Sequence, residues 1–84
     1  MKIRVKVSDE RLILDNMKEF VEEDFIDALW LANYLGQLGV CPDYHSMSVP
    51  GTVLKEVDPT SIHVAVLANE IAQLWKKYKT LIRL

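Results

Sequence analysis

The stretch from Asp58 to Leu84 constrains this chain most. Val64, Leu67, Ala68, Ile71, Trp75, Tyr78, Leu81 and Ile82 recur at spacings of three and four, which is one face of an α-helix. His63, Asn69, Glu70, Gln73, Lys76, Lys77 and Thr80 fall on the other face. Asp58-Pro59 suits a helix start, because an Asp N-cap accepts from free amides and Pro at the first position gives up no needed donor. Lys76, Lys77, Lys79 and Arg83 gather where the helix dipole is negative. The spacing predicts a last helix over 59–84.

At the other end, Lys2-Ile3-Arg4-Val5-Lys6-Val7 alternates with period two. It predicts a half-buried strand, with Ile3, Val5 and Val7 inward and the three cations in water. Ser8-Asp9-Glu10 then has the residues of a helix start, with Ser8 as N-cap and a Val7–Leu12 staple. Leu14, Met17, Val21, Phe25, Ala28, Ala32 and Leu35 continue a helical stripe that Gly36 and Gly39 stop. One helix over 9–35 would be about 40 Å long, more than a small globule needs. Either it breaks at Glu22-Glu23-Asp24, with Asp24 capping a second helix, or a second copy covers it. A third reading makes 11–14 a strand in a hairpin with the first, since short apolar runs are ambiguous by period.

Ile26, Leu29, Trp30, Leu31, Tyr34 and Leu38 lie off that stripe, so the helix is apolar nearly all round and needs cover on more than one side. Half of the 84 residues are apolar, and a chain this short has little interior to hold them. Trp30 and Tyr34 are therefore expected at an interface between copies or with a partner.

The segment Val40–Gly51 carries two prolines and no period, which predicts a long loop ending in a Pro50-Gly51 turn. Thr52–Val57 predicts a short strand. The expected fold is a small, mainly helical α+β domain spanning 1–84, in the order β-α-(long loop)-β-α, its first helix split or kinked. Two strands alone make a poor sheet, which points again to completion by another copy.

Charge is segregated: +3 over residues 1–7, −6 over 8–40, −3 over 41–70 and +4 over 71–84, for a net −2. That balance does not favour nucleic acid. A single cysteine, Cys41, excludes an internal disulfide framework. No apolar run reaches bilayer length and no leader pattern opens the chain, so a cytoplasmic protein with no membrane partner is expected.

The 41–51 loop holds Cys41, Asp43, Tyr44, His45 and Ser46. Cys41 and His45 have a spacing that suits a nucleophile–base pair or half of a zinc site, but further ligands of the right kind are missing. Phosphate-binding glycine loops and serine elbows do not occur. No catalytic residue, metal or cofactor is expected. The composition points to a non-enzymatic interaction or regulatory module of inhibitor or adaptor type, acting as a homo-oligomer. Its partner-binding candidates are Glu22, Glu23, Asp24, Asp27, Trp30 and Tyr34. The alternative is a small-ligand binder using Asp43, Tyr44, His45 and Ser46 at a subunit interface.

Overall fold

The computed structural model describes residues 2–22, 28–58 and 63–82, with only the backbone at 21, 22, 28, 29 and 82. Strand β1 (Ile3–Ser8) turns directly into β2 (Arg11–Asp15). The turn is Asp9-Glu10, both left-handed at φ 50° and 61°, as a tight hairpin with the strands' own twist requires. The pairing runs antiparallel from Arg4 opposite Asp15 to Ser8 opposite Arg11. Ser8 therefore ends a strand and caps no helix, and residues 9–15 are not helical. The reason lies in Leu12-Ile13-Leu14. Leu12 and Leu14 bury beside Val7 and Val5, and Ile13 buries on the opposite face beside Lys6. A strand covered on both faces reads as an unbroken apolar run, which period cannot tell from helix.

Asn16 (φ 59°) breaks the strand, and its carbonyl accepts from the Phe20 amide at 3.4 Å as α1 (Met17–Glu22) begins. Helix α2 (Ala28–Gln37) follows. The proposed cap at Asp24 lies outside the described residues. At the end of α2, Val40 N donates to Leu35 O at 2.9 Å, and Gly39 N donates to Gly36 O at 3.1 Å. Gly39 sits at φ 79°, the left-handed stop expected of it.

The loop contains one short strand, β3 (Asp43–Tyr44), which pairs parallel with β2. Strand β4 (Thr52–Val57) lies antiparallel to β1, with a register shift opposite Val5 and Lys6. Gly51 precedes it, and a Cβ there would stand 2.8 Å from Val7 O, so glycine lets the chain pass this close. Helix α3 (Val64–Ile82) closes the described fold. His63 caps it: its carbonyl accepts from Leu67 N at 2.9 Å and its Nδ1 accepts from Ala65 N at 3.2 Å. The cap expected at Asp58-Pro59 falls partly on 59–62, outside the described residues.

The result is a mixed α+β fold with a four-stranded sheet in the order β3-β2-β1-β4. Leu31 and Leu35 of α2, and Leu67, Ala68, Ile71, Ala72 and Trp75 of α3, bury with Ile3, Val5, Val7, Leu12, Leu14 and Val57 of the sheet. The β2 and β3 strands complete the sheet within one chain, so sheet completion no longer argues for a second copy. Strands β2 and β3 pair parallel, while β1 and β4 pair antiparallel.

One cation departs from the expected solvated face. Lys6 is 5% exposed. Its ammonium donates to Asp15 Oδ2 and Ser48 Oγ, both at 3.4 Å, and to Val49 O. Residues 48–49 are thus tied down over this side of the sheet, which alternation in β1 alone could not reveal. No helix among the described residues is long and apolar enough to cross a membrane.

Candidate functional site

Among the described side chains of α2, Leu31 and Leu35, four apart, are the fully buried ones. The same helical geometry sends Trp30, Asn33 and Gln37 outward at three- and four-residue steps, with Tyr34 half-buried at the margin. Trp30, Ala32, Asn33, Tyr34 and Gln37 line an open groove of 680 Å³. Trp30 is 62% exposed, the largest aromatic surface the described fold leaves in water. Covering an indole of this kind contributes roughly 2–3 kcal/mol to an association. No charged side chain lines the groove among the described residues; two amides flank two aromatic rings. Exposed aromatic residues are enriched at protein interfaces.

Trp30 and Tyr34 are therefore brought together as the sequence suggested. The acidic candidates are not placed beside them: Glu23, Asp24 and Asp27 lie outside the described residues, and Glu22 is described only as backbone at the end of α1.

The loop candidates do not converge. Asp43 and Tyr44 are successive strand residues paired with Ile13 and Leu14, so they leave opposite faces of the sheet. The Asp43 carboxylate lies 3.8 Å from the Arg11 guanidinium. Tyr44 packs against the core. Its hydroxyl is buried without a hydrogen-bond partner, and burial, followed by the charge of Cys41, pushes its pKa up to about 12. His45 serves through its backbone: its amide donates to Leu14 O and its carbonyl accepts from Met17 N, both at 2.9 Å. Ser46 is exposed. Among the described residues no three His, Cys, Asp or Glu side chains gather as a metal site.

Two further grooves join elements distant in sequence. One, of 390 Å³, brings Arg11, Cys41 and Asp43 to Trp75 and Lys79, with the Lys79 ammonium 5.0 Å from the Trp75 ring centre. Trp75 also stacks on Tyr78 at 5.5 Å. The other, of 280 Å³, lies between Lys55 of β4 and Glu70, Gln73, Leu74 and Lys77 of α3. Its only sequence signal is the helical spacing of the α3 residues; their partner on β4 depends on the tertiary fold.

Comparison with family models, characterised proteins and solved structures finds no match for this chain.

Proposed function

We propose that this chain is a non-enzymatic protein-interaction module of regulatory type, self-associating through the outward face of α2. The carrying observation is Trp30, 62% exposed beside Tyr34 along the 680 Å³ groove. Buried aromatic anchors of this kind supply most of the free energy at protein interfaces. The acids at Glu22, Glu23, Asp24 and Asp27 precede Trp30 closely in sequence and give this region a negative charge suited to steering a basic partner. An inhibitor or adaptor works by this kind of contact alone.

Native mass spectrometry of the full chain and of Trp30→Ala tests the proposal. Oligomers in the parent chain that dissociate in the variant support it. A parent chain that stays monomeric at tens of micromolar overturns self-association through α2.

A small-ligand reading of the 41–51 loop has one specific support. The 390 Å³ groove sets Cys41 and Asp43 of that loop beside Arg11, Trp75 and Lys79. Retention of a small molecule by the parent chain, lost in Lys79→Ala, is the result this reading requires.

A further inference from the structure

The sheet order leaves β4 as an edge strand, and among the described residues no strand pairs with its outer side. An edge of this length is a template for another strand. Thr52, Val53, Lys55 and Glu56 are exposed along it. Beside it runs one stripe of α3: Val66, Glu70, Gln73 and Lys77 follow one another at steps of four, three and four. Val66, on this stripe, is 52% exposed. The 280 Å³ groove lies between this stripe and Lys55. Backbone edge, helix wall and exposed apolar side chains together form the setting in which extended peptides dock by strand addition.

The charges select the occupant. Glu70 is engaged by Lys55 at 3.6 Å, which among the described residues leaves Lys77 as the groove's cation without a carboxylate. A second copy is disfavoured in two registers. Antiparallel self-pairing centred on Lys55 or on Glu56 sets like charges directly opposite each other. The register shift within β4 further disfavours long flat pairing.

We propose that β4 and the Val66–Lys77 stripe of α3 accept an extended segment of another protein as a fifth strand, with one acidic side chain directed to Lys77 and apolar side chains directed to Val66 and Leu74. This surface is separate from the α2 groove and does not depend on its role.

The test titrates the isotope-labelled full chain with the capped peptide Ac-Thr-Glu-Thr-Val-Thr-Val-Thr-NH2 and follows backbone amides by NMR. Two control peptides replace Glu by Lys or carry N-methyl groups on alternate amides. The expected result is shifts confined to residues 52–57 and 66–77. The Lys peptide should bind roughly two- to fivefold more weakly, the size of one exposed ion pair. The N-methylated peptide should not bind, and Lys77→Glu should reverse the preference between Glu and Lys peptides. Absence of shifts at millimolar peptide overturns the proposal. So does binding that ignores N-methylation, or shifts that centre on α2 instead. Reversal by Lys77→Glu is read on a folded chain, because the Lys77 side chain is exposed and its loss leaves the core intact.

Discussion

The Asp15 carboxylate is fully enclosed and 3.4 Å from the Lys6 ammonium, with the Arg4 guanidinium 3.1 Å away on the same oxygen. Its other oxygen accepts from the Asn16 amide at 3.0 Å. Two β-strand neighbours and the 48–49 segment thus share one buried charge cluster.

Removing one member of a buried pair strands the other. Lys6→Met should destabilise the chain by about 3 kcal/mol in urea denaturation, because Asp15 loses a cation and residues 48–49 lose their tether. The double variant Lys6→Met, Asp15→Leu should recover much of that loss, since Arg4 is exposed enough to reach water. A double variant no better than the sum of its single changes would contradict this account.

Gly51 and Gly36 should respond to alanine with opposite signs. Alanine at 51 sets a methyl 2.8 Å from Val7 O and should cost roughly 1–3 kcal/mol. At Gly36, inside α2, an added Cβ meets nothing within 4 Å, so alanine should raise stability by about 0.5–1 kcal/mol. Thermal melts of the two variants separate the cases.

Tyr44 makes stability fall at alkaline pH. Its folded pKa, about 12, stands above the ordinary 10.0. Between these values the unfolded chain gives up the phenolic proton while the folded chain keeps it, so the unfolded state is favoured as pH rises. Stability should therefore be independent of Tyr44 ionisation below pH 10 and decline above it. Tyr44→Phe should reduce that slope with little loss at neutral pH, because the buried hydroxyl has no partner to lose. Denaturation across pH 8–11.5, alongside ultraviolet titration of tyrosinate, reads both effects.

His63→Ala should shorten or fray the start of α3. The imidazole Nδ1 satisfies the Ala65 amide at 3.2 Å, and a lost cap costs about 1 kcal/mol. Faster exchange of the first-turn amides, with the Trp75 region unchanged, is the expected pattern.

The candidate site was half legible. Trp30 and Tyr34 stood off the helical stripe of their segment, and the fold does leave them along one groove. The stripe itself pointed to Ala32 as a core position; Leu31, which stood off the stripe, fills that role together with Leu35. Asp43, Tyr44, His45 and Ser46 looked like a cluster because they are consecutive, yet strand pairing sends neighbours to opposite faces.

Local regularity in the sequence determined several elements by itself. The 3–4 spacing after Val64 sets α3, alternation at Ile3–Val7 sets β1, Thr52–Val57 emerges with the bounds of β4, and Gly39 marks the end of α2. Each depends on contacts within a few residues or on one solvated face. Only the tertiary structure decided whether Leu12-Ile13-Leu14 was strand or helix, and that Lys6 would be buried. Both outcomes depend on what covers the second face of the sheet, and the residues that cover Lys6, Ser48 and Val49, are about forty positions away in the chain.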